Sequence, residues 1–180
     1  MQAIPNEEKI VSLITEAQEL AKTLGYNNIL QPGFIKEMIV ANILGHQVHK
    51  TKHEPDAWDK NDSSIKYEYL SCFEDGSFQF DRVFKTPPEK RLKSLERITR
   101  NHKIYCAVFN KEFPLEVISI FEIEPSVVVK EAERQLDRSS NEISHVGFNV
   151  KWAINNGKKV YPKWAVPLIM WIRFYMVKNS

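Results

Sequence analysis

The sequence is poor in several residues whose abundance would indicate a particular class of protein. Its 180 residues include only six glycines and two cysteines, and the formal net charge is +2. The glycines form no phosphate-cradling loop, and Cys72 and Cys106 lack the spacing of a zinc site or of a disulfide framework. The near balance of charge excludes a strongly basic surface over the whole chain. Any nucleic-acid-binding surface must therefore be local.

Long apolar runs are also absent. The longest candidate, WAVPLIMWIRFYMV at 164–177, is shorter than the ~20 residues of a membrane-spanning helix, and Pro167 and Arg173 interrupt it. The opening MQAIPNEEK is polar and unlike a signal peptide. We therefore expect one cytoplasmic domain over 1–180 with no membrane partner. Its apolar tail at 164–180 has no assigned role.

Apolar periodicity predicts a mixed order of helices and strands. Helical spacing runs over 6–24 and again over 32–44, and each run stops at a glycine. Alternation predicts strands at 65–72 and 78–84, joined into a hairpin by the turn EDGS, and further strands in KIYCAVF and LEVISIFEI. Two prolines start a basic helix, and 125–136 is another helix. This order predicts an α/β (α+β) domain: a mixed β-sheet flanked by helices, with a core at about 32–136 and an N-terminal helical segment at 1–31.

Two carboxylates in strand-like surroundings are the main candidates for chemistry. Asp56 follows a proline, and Glu68 lies in the alternating run IKYEYLSC. Hydrolysing a phosphodiester with a metal requires carboxylates held close together on a rigid frame, and a pair of strands supplies that frame. Glu37 lies on an apolar helix stripe, so it should have a partner or a metal nearby. Taken singly, each carboxylate could instead be an ordinary turn, strand or salt-bridge residue.

The segment from about Phe34 to Glu124 resembles the PD-(D/E)xK nuclease core of type II restriction endonucleases. The similar elements are the helix KEMIVANILGH, then HEPDAW and IKYEYLSC, then the strand GSFQFDRVF, a basic helix and a further strand. The resemblance implies a restriction-endonuclease-like fold and a Mg²⁺-dependent endonuclease that cuts double-stranded DNA at a short sequence. Asp56 and Glu68 would bind the metal, with Glu37 in support. It also implies a homodimer in a prokaryotic cytoplasm, paired with a DNA methyltransferase in a restriction–modification system.

Leu70 departs from the family pattern, because that position is usually the catalytic lysine. Three interpretations remain open: an inactivated variant, a lysine role moved to another residue, or a motif match without meaning. Lys66, Lys85 and Gln79 are the candidates for a moved role, the last because the hairpin would pair residue 70 with residue 79. If no residue has taken over, Leu70→Lys should restore cleavage. The alternative function is a nuclease-like protein that binds DNA without cutting it.

Basic residues concentrate after the second predicted hairpin strand. These candidate phosphate contacts are Lys85, Lys90, Arg91, Lys93, Arg97 and Arg100. A second polar cluster, Arg138, Ser139 and Asn141, could read bases in the major groove. Either cluster could also be ordinary solvated surface. His46, His49 and His53 lack a matching second ligand pair, so we expect surface or groove-facing histidines rather than a zinc site.

Overall fold

The protein has an α+β fold, which confirms the fold class expected from the periodicity; the computed structural model describes residues 6–50 and 55–162. The apolar tail at 164–180 lies outside these residues. Within them, no helix is both long and apolar enough to cross a membrane. The helices are α1 (Asn6–Thr23), α2 (Phe34–Leu44), α3 (Pro88–Thr99), α4 (Pro125–Arg138) and α5 (Val150–Asn156). The strands are β1 (His46–Val48), β2 (Ala57–Asp59), β3 (Lys66–Phe73), β4 (Ser77–Phe84), β5 (Lys103–Phe109), β6 (Val117–Ile123), β7 (Ile143–Asn149) and β8 (Lys158–Tyr161).

The larger sheet sets the position of α3. Its strand order is β1-β2-β3-β5-β6-β8, and only the β3–β5 pair is parallel. A parallel pair needs a crossover connection, which contains α3 here. The loop after α3 is fixed to the start of β3, since His102 N–H donates to the Lys66 carbonyl at 2.7 Å. The C-terminal turn of α3 therefore lies beside the first residues of β3.

The hairpin expected between β3 and β4 does not form. The two strands belong to different sheets, and β4 pairs with β7 in a separate two-stranded sheet where Gln79 lies opposite Gly147. The EDGS turn is present, with Gly76 N–H donating to the Phe73 carbonyl at 2.9 Å. Beyond it, Phe78 is fully buried and packs against Phe148 of β7. The predicted pairing of residue 70 with residue 79 is therefore wrong.

The alternation of β3 divides its side chains between two apolar cores. Tyr67 and Tyr69 belong to a core that includes α2, whereas Leu70 and Cys72 belong to one that includes α3 and α4. Glu68 shares the parity of Leu70, because strand side chains repeat every two residues. The Glu68 side chain therefore leaves β3 on the face of the sheet against which α3 packs.

The first helix is mostly unburied. Every residue from 6 to 17 is exposed, although apolar residues recur there at helical spacing, and Ala21 is the one buried residue of α1. The helix is attached near its C-terminal end, where Gln18 accepts a hydrogen bond from Ile29 N–H at 3.0 Å. The N-terminal three turns of α1 thus stand away from the domain.

Candidate active site

Asp56 lies where β3 loses its neighbour. β2 pairs with β3 only through Lys66 and Tyr67, so from Glu68 onward this edge of β3 has no strand partner within the described residues. At this edge the Asp56 carboxylate, rather than a strand carbonyl, accepts the hydrogen bond of Tyr69 N–H, at 2.7 Å. The antiparallel register, continued by one residue, sets Asp56 beside Glu68. The predicted carboxylate pair is thus brought together.

The two carboxyl groups destabilise each other's charged forms. Burial raises the pKa of Asp56 above its ordinary value, while the Tyr69 hydrogen bond and the charge of Arg100 act in the opposite direction. Burial also raises the pKa of Glu68, and the charge of Asp56 raises it further; Arg100 and Arg97 oppose the shift, and Glu37 adds to it. Like charges held together in a poorly solvated site are costly unless a cation is added.

Glu68 carries an unsatisfied atom as well as an unfavourable charge. Its Oε2 is buried and has no hydrogen-bond partner within residues 6–50 and 55–162. Buried polar atoms are almost always satisfied, so an exception needs an explanation such as a bound ion. Within the described ranges, no three His, Cys, Asp or Glu side chains form a ready metal-binding group. Mg²⁺ commonly uses one or two carboxylates and keeps several waters, so Asp56 and Glu68 fit that ion.

A cavity of about 380 Å³ opens beside Asp56, whereas Glu68, the neighbour of Asp56 on β3, is not among its lining residues. Asp56 and Glu37, two of the carboxylates singled out from the sequence, line the cavity. Arg97, assigned from sequence to DNA binding, also lines it. The remaining lining residues include His49, which was expected to be a surface or groove-facing histidine, and four that were not expected from the sequence as cavity residues: Gln31, Pro32, Phe34 and Asp81.

Two arginines of the α3 C-terminus supply positive charge at the carboxylates. Both Arg97 and Arg100 lower the pKa of Glu68, against the effect of burial. Arg97 reaches the cavity and donates from Nη1 to the Asp81 carbonyl at 3.3 Å. This placement follows from the crossover, which returns α3 to the start of β3. Their local sequence, ERITRNH, contains no sign of it.

Leu70 is a core residue. It is 7% exposed, belongs to the apolar core on the α3 side of β3, and does not line the cavity. The three residues proposed to replace the lysine do not line it either. Gln79 is exposed on β4, Lys85 donates from Nζ to the Ser139 carbonyl at 2.6 Å, and Lys66 lies at the start of β3.

Leu70→Lys should destabilise the protein, because it places an ammonium group among apolar side chains. We expect the free energy of unfolding in urea to fall by roughly 2–5 kcal/mol. Leu92 provides the matched control: it is 59% exposed on α3, so Leu92→Lys should change stability by less than about 0.5 kcal/mol. Equal stability of the two variants would mean that residue 70 has room for a lysine head group.

A histidine–aspartate pair lies at the rim of the cavity. His145 Nδ1 is 2.8 Å from Asp81 Oδ1, and both side chains are largely exposed. The β4–β7 register shifts between Phe80 and Val83, and Arg82 within this bulge has a φ of 53°. A non-glycine residue rarely adopts positive φ, and bulges redirect side chains. Asp81 thus lies at this bulge, where it lines the cavity.

The predicted DNA-contacting residues occupy both ends of α3. At the N-terminal end, Lys85 binds the Ser139 carbonyl, and Arg91 forms an ion pair with Asp137 at 2.8 Å. These contacts bring the two predicted basic and polar clusters together. Between the two ends Lys93 is exposed, while Lys90 Nζ is 5.3 Å from the centre of the Phe84 ring. Arg138 and Asn141 are exposed beside Ser139.

The histidines of the predicted groove do not share a common site. His46 contacts the Tyr69 hydroxyl through Nδ1 at 2.7 Å and stacks on Tyr67 at 4.0 Å between ring centres. Burial lowers the pKa of His46 to about 4, so it is neutral near pH 7. His49 lines the cavity and packs edge-on against Trp58. His53 lies outside the described residues.

No protein-family model matches this chain, and no curated protein matches it either.

Proposed function

We propose that this protein is a Mg²⁺-dependent double-stranded DNA endonuclease of the PD-(D/E)xK type, acting as a type II restriction enzyme. The observation that carries the proposal is the Asp56–Glu68 pair. Both carboxyl groups have raised pKa values, Asp56 lines the cavity, and Glu68 has an oxygen with no hydrogen-bond partner among the described residues. A divalent cation would satisfy that oxygen and neutralise the repulsion.

The side chains around the cavity have complementary tasks in this reaction. Asp56 and Glu68 would hold Mg²⁺, which when bound polarises a phosphate and lowers the pKa of a water. Glu37 adds negative charge on the α2 side of the cavity and favours cation binding. Arg97 can place a guanidinium against the phosphate, where negative charge develops. It thereby supplies a positive charge that the apolar Leu70 does not.

The exposed cations of α3 indicate the path of the duplex. The helix rises about 14 Å from Pro88 to Arg97, comparable to the spacing of several phosphates along one strand. A strand crossing the cavity at Arg97 could continue past Lys93 and Lys90 toward the loop at Ser139 and Asn141. In this proposal that loop reads bases, and the α3 cations hold the backbone. A DNA methyltransferase that protects the host sequence is the expected functional partner in a prokaryotic cytoplasm.

Cleavage of unmethylated phage DNA tests the proposal. With Mg²⁺ the protein should give discrete fragments, and chelation of the metal should stop the reaction. Ca²⁺ should support binding with little cleavage, so that binding and chemistry can be measured separately. Asp56→Asn is the control for contaminating nucleases, since it should bind DNA and leave it intact. Absence of both metal-dependent binding and cleavage would contradict the proposal.

A nuclease-fold protein that binds DNA without cutting is the alternative, and the burial of Leu70 favours it. An apolar side chain in the core neither donates a hydrogen bond nor moves a proton. This alternative predicts salt-sensitive DNA binding that is unchanged by Arg97→Lys, with no fragments at any Mg²⁺ concentration. The same digestion experiment therefore separates the two functions.

A further inference from the structure

The N-terminal half of α1 lacks the packing that normally stabilises a helix of this length. Isolated helices shorter than about 12–15 residues are marginal in water, and most helices in proteins are stabilised by burying an apolar face. Here residues 6–17 are all exposed. The exposed side chains include Ile10, Val11, Leu13 and Ile14, between 41% and 63% accessible. This segment therefore presents apolar surface that nothing in the described chain covers.

Ile10, Leu13, Ala17 and Leu20 form one stripe along α1, and Leu24 continues it one residue beyond the helix end, whereas Val11 lies on another face. Ile10, Leu13, Ala17, Leu20 and Leu24 recur at alternating spacings of three and four, the pattern of a helix that packs lengthwise against another helix. Leu20 and Leu24 are 65% and 57% exposed. Soluble monomers rarely expose contiguous apolar patches beyond a few hundred Å². A standard interface buries about 800 Å² per partner, a little over half of it apolar, which is the order of area that this stripe offers.

The charges beside the stripe favour a second copy of the same helix. Lys9 and Glu16 are seven residues apart and lie along one edge of the stripe. They are equally distant from the point between Ser12 and Leu13. In an antiparallel pair with its two-fold axis near that point, each Lys9 faces Glu16 of the partner subunit. Opposite charges meet twice, and Ile10 packs near Leu13 of the partner subunit.

We propose that the α1 stripe is the contact surface of a homodimer in which the two α1 helices pair antiparallel about the point between Ser12 and Leu13. The proposal does not depend on the nuclease activity, since it uses no residue of the cavity. It names the surface through which two copies associate. It also fixes their relative direction.

Sedimentation of the full chain at micromolar concentration tests the dimer. Wild type should sediment as a dimer, and Leu13→Glu should raise the dissociation constant by about 100-fold or more, the effect of losing a central contact. Leu13 is 55% exposed. Leu13→Glu should therefore leave the fold intact, as measured by circular dichroism. Thr15→Glu, on the opposite face of the same helix, is the matched control and should remain dimeric.

Charge reversal tests the direction of the pair. Lys9→Glu and Glu16→Lys should each weaken the dimer, and the double variant should restore it. A wild-type monomer would overturn the proposal, whether the stripe is then covered by the apolar segment 164–177 or left bare. A Leu13→Glu dimer as tight as wild type would also overturn it. Failure of the double variant to restore association would exclude the antiparallel pairing.

Discussion

Glu68→Gln should reduce Mg²⁺-dependent DNA cleavage by about 10³-fold or more, because it removes a metal-binding charge worth several kcal/mol in the transition state. The same change should make the metal-free protein more stable near pH 8, by roughly 1–3 kcal/mol. Glutamine has nearly the same shape but carries no charge beside Asp56. Activity is measured by the rate of fragment formation, and stability by urea unfolding in the presence of a chelator.

The stabilisation by Glu68→Gln should depend on pH in a defined direction. The pKa of Glu68 is raised in the folded protein by burial and by Asp56, so the folded state holds this proton more tightly than the unfolded state. The contribution of Glu68 to wild-type stability is therefore fully present below the ordinary carboxyl pKa of about 4. This contribution is lost as the pH rises through the raised pKa of the folded protein. The variant should lose this decline, and Mg²⁺ should stabilise only wild type. Glu96→Gln, an exposed change on α3, should behave as wild type in both measurements. A Glu68→Gln protein that cuts DNA normally, or is less stable at pH 8, would exclude the proposed metal site.

Arg97→Ala should lower the cleavage rate at saturating DNA by about 10²- to 10³-fold, the usual effect of removing one donor to developing negative charge. Arg97 lines the cavity with Asp56, so this effect should be separate from affinity. Arg97→Lys should recover part of the rate, since it restores charge without the planar pair of donors.

Lys93→Ala is the comparison for Arg97→Ala, because Lys93 is exposed on the same helix away from the cavity lining. It should weaken binding and lower the slope of log affinity against log salt by about one. Its rate at saturating DNA should stay close to wild type. Equal effects of the two substitutions on the saturated rate would remove Arg97 from the chemistry.

The local features of the site could be predicted from the sequence, since they depend on short-range rules. Alternation in β3 and a nearby proline-aspartate pair were enough to join Asp56 and Glu68. Helical spacing placed Glu37 on the inward face of α2. Each of these inferences uses periodicity within a few residues of the side chain concerned.

The choice of strand partners could not be predicted, because it is decided between distant segments. β3 and β4 both alternate and are joined by a strong turn, which favours a hairpin locally. Yet burial of Phe78 against Phe148 brings β4 to β7, whose sequence ISHVGFN shows only weak alternation. The same limitation applies to Arg97, whose place at the cavity follows from the parallel β3–β5 pair. The burial of Leu70 could not be predicted for the same reason, since only the packing of α3 shows that residue 70 faces a core.

The β4–β7 pair also determines when the site can be completed during synthesis. Asp81 and His145 are separated by 64 positions along the chain, and β7 is the strand that pairs with β4 in the two-stranded sheet. A nascent chain that has exposed Asp56, Glu68 and Arg97 still lacks the segment that holds Asp81 at the rim. Domains of this size generally fold as units once their distant segments have been made. Asp81 therefore gains its His145 partner at the rim of the cavity only after β7 has left the ribosome.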